Sequence, residues 1–243
     1  MIRWWHLAVF GVSLVVAGAA FAPARFFFHP DNDGLAFEDA RGSVWDATLT
    51  KASIGGLDAG DVAFRVSPAD ILLGRLVADV DLAGSNIIGN VRLQLGLGGE
   101  RRLTTSDMRI KDFPVQNQFL LTGETRLSNI DLLLGDQACQ SAQGILESDM
   151  LIRSAEMLGA RGPALSGEAS CSGPAGRLTL AGERDGDAVE LVLDLAGNGG
   201  AQWSLTYRTA TPEVSMRLAA FGLEPLPETG AFGKRGAARW LPF

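Results

Sequence analysis

The sequence predicts an all-β protein, in which a single N-terminal transmembrane helix precedes a curved, mostly antiparallel sheet of many strands. Short runs of alternating apolar and polar residues predict the strands, and glycine-rich pairs between the runs predict tight turns. The alternation is clearest at Val62, Phe64 and Val66, and again along residues 74–82. Runs of this kind, repeated at short intervals, favour antiparallel strands that bury one face.

The N-terminal segment is apolar and long enough to cross a bilayer. From Trp4 to Ala24 the sequence has no acidic or basic residue except His6, and about 20 apolar residues span a bilayer core. A cleaved secretory signal is the alternative, because residues 20–22 have small residues at cleavage-site spacing, although Pro23 argues against a cut just before it. We expect residues 1–30 to form a transmembrane anchor and a juxtamembrane segment. Both interpretations place the remaining chain outside the cytoplasm.

Alternating runs continue along most of the chain. Leu178 and Leu180 lie on one side of a predicted turn, and Val189, Leu191 and Leu193 alternate with other residues on the other side, which predicts a hairpin with one buried face. The strands are expected at residues 42–49, 62–66, 74–82, 89–96, 103–110, 119–130, 144–152, 167–171, 177–183, 188–195, 202–208 and 214–219.

Two regions fit the strand pattern poorly. Residues 129–145 predict a short helix or a loop, which makes 130–144 a candidate boundary between two sub-sheets of a β domain over residues 31–220. Residues 221–243 contain three prolines and four glycines, which predicts a flexible C-terminal tail.

Composition and charge exclude several functions. A formal net charge of −7 disfavours nucleic acid as a partner, because phosphate neutralisation needs clustered Lys and Arg. The chain has two histidines, His6 and His29, and both precede the predicted β domain, so a histidine-based catalytic or zinc site cannot be assembled there. Asp79 and Asp81 share a strand face and are interpreted as its solvated side, with carboxylate catalysis as the remaining enzymatic alternative. We expect no enzymatic activity, no cofactor and no metal.

The two cysteines, Cys139 and Cys171, are expected to form a disulfide, because an exported domain with an even cysteine count lies in an oxidising compartment. A metal site would need further ligands, and a redox motif usually brings its thiols close together in the sequence.

Several short motifs resemble a known family. They are the G-x-V-W-D-x-T-L run that contains Gly42, Trp45 and Asp46, the strand entry at residues 60–64, and the S-P-x-x-I-L-L-G-R-L corner at residues 67–76, which contains Pro68, Leu73 and Gly74. The paired cysteines add to these motifs. Together they resemble the periplasmic domain of the type II secretion system protein N family. AsmA-like envelope proteins have similar short motifs, so they are the more distant alternative.

The resemblance implies a single-pass inner-membrane protein with most of its chain in the periplasm. It implies a non-enzymatic accessory component of the secretion system, with subunits of the inner-membrane platform or the secretin as partners. The AsmA-like alternative implies that a β-groove binds or transfers lipid. We expect contacts with partners in the juxtamembrane residues 26–38 and in the basic-aromatic tail, at Lys234, Arg235, Arg239 and Trp240. Trp45 and Trp203 are expected to pack in the core.

Overall fold

The structure is a computed structural model that describes residues 22–26, 35–115, 119–157, 161–209, 211–220, 223–227 and 230–239. The strands are β1 (Leu35–Ala36), β2 (Asp39–Gly42), β3 (Asp46–Ile54), β4 (Leu57–Val66), β5 (Arg75–Ala83), β6 (Ile87–Gly96), β7 (Arg101–Val115), β8 (Phe119–Leu134), β9 (Cys139–Ser148), β10 (Leu165–Ser172), β11 (Ala175–Arg184), β12 (Asp187–Ala196), β13 (Gly200–Arg208), β14 (Glu224–Pro225) and β15 (Ala231–Arg239). The helices are α1 (Pro68–Leu72), α2 (Met150–Met157) and α3 (Pro212–Ala220), and a 3₁₀ turn covers Ala24–Phe26.

All fifteen strands belong to one antiparallel sheet, which confirms the predicted all-β fold. From β3 to β13 the order of strands in space is the order in the sequence, while β1 and β2 both pair with the outer side of β3. The predicted transmembrane segment falls outside the described residues as far as residue 21. Within the described ranges, no helix is both long and apolar enough to span a membrane.

Two-residue turns with positive φ join several of these strands. Gly55 and Gly56 connect β3 to β4, and Asp185 and Gly186 connect β11 to β12, with φ between 54° and 86° at all four residues. Turns of this hand match the right-handed twist of the flanking strands. In the second hairpin, Leu178 pairs with Leu193 and Leu180 with Leu191, which confirms the predicted hairpin.

The apolar face of the sheet, here called the inner face, packs in two clusters. The first cluster lies on β3 to β6 and includes Leu49 and Val62, while the second lies on β8 to β13 and includes Leu132. Met108 and Ile110 of β7 pack against both clusters, so the inner face is continuous. Full burial of each leucine side chain stabilises the fold by about 2 kcal/mol.

A single sheet can bury its apolar face by curling, because twist accumulates across many strands. Gly176 on β11 shows this curvature, since a Cβ built on it would lie 3.2 Å from Leu134 and 3.5 Å from Leu132, both on β8. These residues are three strands apart in the sheet, yet their inner faces are in contact.

The predicted boundary between two sub-sheets near residues 130–144 is wrong, because β8 and β9 are hydrogen-bonded to each other across it. Leu132 pairs with Ala142, and Leu134 with Cys139. The segment 129–145 is therefore two paired strands joined by a short loop at residues 135–138, and it contains no helix. Three consecutive leucines at 132–134 hide the alternation that the inner face follows.

Two predicted strands are partly or wholly helical. Residues 214–219 lie in α3, which begins at Pro212, and the Ser215 N–H donates to the Thr211 carbonyl at 3.1 Å. Proline favours the first turn of a helix, because its fixed φ suits that turn. The strand predicted at 144–152 ends at Ser148, and α2 follows from Met150.

The predicted flexible tail instead includes a long strand. β15 pairs with β13 over its whole length, from Gly200–Arg239 to Arg208–Ala231. Gly230 turns the chain into β15 with φ +73°, whereas Gly233 and Gly236 lie within the strand, where neighbouring side chains pack against them. A Cβ on Gly236 would lie 2.5 Å from the indole of Trp203, so that ring packs directly over the glycine. Trp203 is half-buried on the inner face.

Candidate interaction surfaces

The turn between β2 and β3 contains three of the predicted motif residues. Gly42 has φ +92°, and a Cβ there would lie 2.2 Å from the Asp46 carbonyl oxygen, so glycine suits this position. Ser43 and Asp46 exchange backbone hydrogen bonds of 3.0 and 3.2 Å, which close the turn around the half-buried Trp45.

The corner between β4 and β5 contains the other three motif residues. Pro68 begins α1, and Ser67 caps it by accepting a hydrogen bond from the Asp70 N–H at 3.3 Å. Leu73 ends the helix, and Gly74, with φ +75°, turns the chain into β5. Glycine is the common residue at this position after a helix.

Backbone hydrogen bonds connect these two turns at one end of the sheet. The Val66 N–H donates to the Trp45 carbonyl at 2.8 Å, and the Leu97 N–H donates to the Gly74 carbonyl at 3.2 Å. We call residues 42–46, 66–75 and 96–100 the motif rim. The structure therefore brings Gly42, Trp45, Asp46, Pro68, Leu73 and Gly74 together at one end of the sheet.

The chain enters the β domain at the same rim. The Val44 N–H donates to the Ala22 carbonyl at 3.0 Å, Pro23 forms a bridge with Ser43, and Ala24 is fully buried. The last residues of the predicted span, 22–24, thus contact the motif rim.

The motif rim also exposes large apolar side chains. Leu97 and Leu72 are 91% and 89% exposed, more than any other large apolar residue in the described part of the chain, and Leu73 is 70% exposed. Leu97 lies against Gly74, since a Cβ on this glycine would come within 2.8 Å of a Leu97 methyl carbon. The leucines of the corner and of the β6–β7 turn therefore form one patch.

The outer edge of β15 is a second candidate surface. The start of this edge is covered: the Leu226 N–H donates to the Ala231 carbonyl, and β14 pairs with residues 232 and 233. Further along, no strand in the described ranges pairs with residues 234–239 on this side. Because backbone groups alternate in direction along a strand, those of residues 235, 237 and 239 point away from β13. Three N–H and three C=O groups thus face outward.

The predicted tail contacts fall partly on this edge. Lys234, Arg235 and Arg239 lie in β15, and Trp240 lies outside the described residues. Arg235 is exposed, whereas Lys234 is half-buried because it pairs in register with Leu205 on the inner face. The three prolines, four glycines and scattered charges of residues 221–243 do not fit a strand pattern, so the sequence predicts a tail there and gives no sign of this edge.

The outer face of the sheet carries cross-strand ion pairs between arginine and aspartate. Asp79 pairs with Arg92, and Asp81 pairs with Arg65 at 3.1 Å, so both carboxylates lie on the solvated face as interpreted from the sequence. With Asn90 and Gln143, these side chains line a shallow polar depression of about 640 Å³. Exposed pairs of this kind contribute roughly 0–1 kcal/mol each.

Titrating groups away from these surfaces have structural partners. On the outer face, the hydrogen bond from the Arg102 guanidinium holds the pKa of Asp131 below its usual value, although partial burial opposes this shift. On the inner face, burial raises the pKa of Tyr207, and the nearby Asp187, which accepts its hydroxyl at 3.0 Å, raises it further. Among the residues that the structure describes, no three His, Cys, Asp or Glu side chains converge as metal ligands.

The predicted disulfide between Cys139 and Cys171 is confirmed, with a Cα–Cα distance of 5.5 Å. The ladder between β9 and β10 covers Ile145 to Ser148 on β9 and ends before the cysteines. The disulfide therefore joins the two strands where their hydrogen bonding has stopped, at the same end of the sheet as the motif rim.

The family model described as "Type II secretion system (T2SS), protein N" matches residues 33–227. The chain belongs to this family. The resemblance inferred from the short motifs is thus confirmed. No curated protein and no solved structure gives a significant match to the chain.

As a member of the protein N family, the chain is an accessory component of the type II secretion system, and other subunits of that system are its partners. The matched range contains the whole motif rim and both cysteines. β15 and the predicted transmembrane segment lie outside the range. The open edge of β15 is therefore a property of this chain that the family match does not describe.

Proposed function

We propose that this protein is a non-enzymatic, inner-membrane-anchored accessory component of the type II secretion system, which contacts another subunit through the outer edge of β15. An extended segment of the partner would add to the sheet as a further antiparallel or parallel strand. The outward backbone groups of residues 235, 237 and 239 carry this proposal, because an unpaired strand edge is a template for strand addition.

Charge selects the chemistry of the partner. β15 contains Lys234, Arg235 and Arg239 in a chain whose net charge is −7, so this edge is a basic region on an acidic protein. Positive side chains on an edge strand disfavour pairing with an identical edge and favour an acidic segment. The partner is therefore expected to present an extended stretch that contains Asp or Glu.

The AsmA-like alternative, lipid handling, would need an open apolar surface. On β3, β4 and β8 the inner face is filled by the protein's own side chains, including Leu49, Val62 and Leu132. Leu193 and Leu205, on β12 and β13, are among the half-buried side chains of the inner face that an acyl chain could contact. Stoichiometric phospholipid in the purified chain, measured by mass spectrometry, would favour this alternative over strand addition.

A photocrosslinking residue in place of Ala237 tests the proposal in membranes that contain the whole secretion system. Ala237 is exposed on β15, and the control position, Ala181, is exposed on β11, where both neighbouring strands are paired. We expect adducts with another secretion subunit at position 237, at roughly fivefold or higher yield than at position 181.

The Ala237→Pro variant tests strand addition itself. The backbone N–H of Ala237 points away from β13. Proline at this position therefore removes a hydrogen-bond donor for the partner strand without removing a hydrogen bond to β13. We expect the variant to keep its fold and disulfide but to lose crosslinking from a neighbouring position, Arg235, whereas the Ala237→Ser control keeps it. Equal yields at 237 and 181, or undiminished crosslinking in Ala237→Pro, would overturn the proposal.

A further inference from the structure

We propose that the motif rim is a second membrane contact, in which Leu72, Leu73 and Leu97 insert into the interface of the bilayer that holds the anchor. The inference rests on the membrane anchoring in the proposed function. It assigns a lipid surface to a patch that the β domain itself leaves uncovered.

The exposure of these leucines is the first argument. Leu72 and Leu97 are about nine-tenths exposed, and Leu73 is 70% exposed, so none of them contributes much to the core of the domain. Three such side chains on adjoining turns, with Ile71 beside them at 41%, form a contiguous apolar patch. Contiguous patches on a soluble domain mark contact surfaces more often than single exposed leucines do.

The position of the patch is the second argument. Ala22 and Pro23 are bonded to the β2–β3 turn, and this turn is two strands away from the corner at Leu72. With about 4.8 Å between neighbouring strands, the patch lies roughly 10 Å from the point where the predicted span ends. Residues 4–24 are the span predicted from the sequence, so Ala22 and Pro23 are expected at the membrane surface.

The chemistry of the rim is the third argument. Asp70 pairs with Arg75 at 3.1 Å, and Arg101 pairs with Asp136 at 3.3 Å, so these charges beside the leucines are offset by partners on the same chain. The rim also contains the carboxylates of Asp46 and Glu100, so it has no excess of positive charge to attract anionic lipid. Binding to an interface would therefore come from buried apolar area and depend little on salt. A bilayer interface is the occupant that this position and this chemistry favour.

The test uses the full chain reconstituted in vesicles of phosphatidylethanolamine and phosphatidylglycerol, with a benzophenone amino acid in place of Leu72 or Leu97. Control positions are Met216 in α3, which is 70% exposed and follows the far end of β13, and Ile145, which is 53% exposed on the outer face of β9. After irradiation, mass spectrometry counts lipid adducts and protein adducts at each position.

We expect lipid adducts at positions 72 and 97 at roughly tenfold higher yield than at 216 and 145, with little change between low and high salt. Lipid yields at 72 and 97 that match the controls would overturn the inference. The inference would also be overturned if positions 72 and 97, in native membranes, gave adducts with another protein but none with lipid. The patch would then be a protein-binding surface.

Membrane fractionation separates this result from a failure of the proposed function. A full chain that leaves the membrane pellet after an alkaline carbonate wash would contradict the anchoring itself. A chain that stays in the pellet but gives no lipid adducts at 72 and 97 would contradict the rim contact alone. The triple variant Leu72→Ser, Leu73→Ser, Leu97→Ser is expected to remain in the pellet, because the anchor and not the rim resists this wash.

Discussion

The two ends of the sheet are completed by different kinds of contact. At the end away from the motif rim, side-chain oxygens bind backbone N–H groups of neighbouring turns. Asp58 accepts hydrogen bonds from the Gly60 N–H at 2.9 Å and from the Ser85 hydroxyl, and Asp149 accepts from the Glu124 N–H. We call residues 55–60, 84–86, 111–112, 122–125 and 148–153 the opposite rim.

At the motif rim the turns are joined mainly by backbone hydrogen bonds, and large apolar side chains point into solvent. The Gly96 N–H donates to the Glu100 carbonyl at 2.8 Å, while Leu97 between them is almost fully exposed. A rim whose polar groups are satisfied by its own carboxylates needs no partner. A rim that exposes leucines gains stability when something covers them, so the two ends differ in what they offer to other molecules.

Removal of the disulfide is expected to have the largest effect on the stability of the motif-rim end. In Cys139→Ser, Cys171→Ser, the free energy of unfolding should fall by about 3–4 kcal/mol, because the bridge closes a loop of 32 residues where the β9–β10 ladder has ended. Chemical denaturation measures this change. A reductant should lower the stability of the wild-type chain to that of the variant and leave the variant unchanged. A variant as stable as the oxidised wild type would show that the ladder alone holds this end.

A pair of glycine substitutions compares the packing of the two rims. A Cβ at Gly84, in the opposite rim, would lie 2.3 Å from the Ala59 carbonyl carbon, whereas a Cβ at Gly98, in the motif rim, meets nothing within 4 Å. We expect Gly84→Ala to lower the free energy of unfolding by about 2 kcal/mol through this overlap, and Gly98→Ala to change it by less than about 0.5 kcal/mol. Equal melting temperatures for the two variants would show that the close backbone approach at Gly84 tolerates a methyl group as well as the open turn at Gly98 does.

A carboxylate of the opposite rim should give a smaller, pH-dependent effect. Partial burial opposes ionisation of Asp149, but hydrogen bonds from the Glu124 N–H and Arg153 outweigh it and hold its pKa below its usual value. A group with a lowered pKa in the folded state stabilises the fold above its unfolded pKa and loses this effect as the pH falls. We expect Asp149→Ala to cost about 1–2 kcal/mol at pH 7.

The pH dependence of the Asp149→Ala effect serves as its control. The difference in unfolding free energy between the wild type and Asp149→Ala should shrink as the pH falls below about 4, when the wild-type carboxylate becomes protonated. Denaturation curves at several pH values measure it. A difference that stays constant down to acidic pH would show that Asp149 acts through packing and not through its charge.

The smallest effect on stability is expected at the leucines of the motif rim. Leu72→Ser and Leu97→Ser should each change the free energy of unfolding by less than about 0.5 kcal/mol, since both side chains are exposed in the isolated domain. Leu57→Ser is the matched control, because Leu57 starts β4 at the opposite rim and is 7% exposed. That control should cost roughly 2–4 kcal/mol. A large loss in Leu72→Ser would show that the patch is covered by the protein itself.

Much of the fold could be predicted from local patterns. Alternation with a period of two is a local property, so the hairpin of Leu178 and Leu193 and the solvated face at Asp79 and Asp81 were visible in the sequence. The disulfide was predictable from the export of the chain and its cysteine count. Alternation could not identify the buried face where leucine occupies consecutive positions on both faces of a strand, as at residues 132–134.

The two candidate surfaces could be predicted only in part. The motif residues around Gly42 and Pro68 were found by resemblance, but their meeting at one rim depends on the register of β3, β4 and β5. Leu97 joined this surface through its contact with Gly74, which lies 23 positions earlier in the sequence, and no local signal indicates that contact.

The sequence by itself determined the secondary-structure class, the two faces of most strands, the cysteine pair and the family. Only the tertiary structure decided that Gly233 and Gly236 belong to a strand, because the neighbours that make glycine suitable there, Leu226 and Trp203, are brought to them by folding. It also decided which strand has an open edge and which leucines share a rim. The physical reason is that face alternation is set by the geometry of one strand, whereas edges and rims are set by the order and register of all of them.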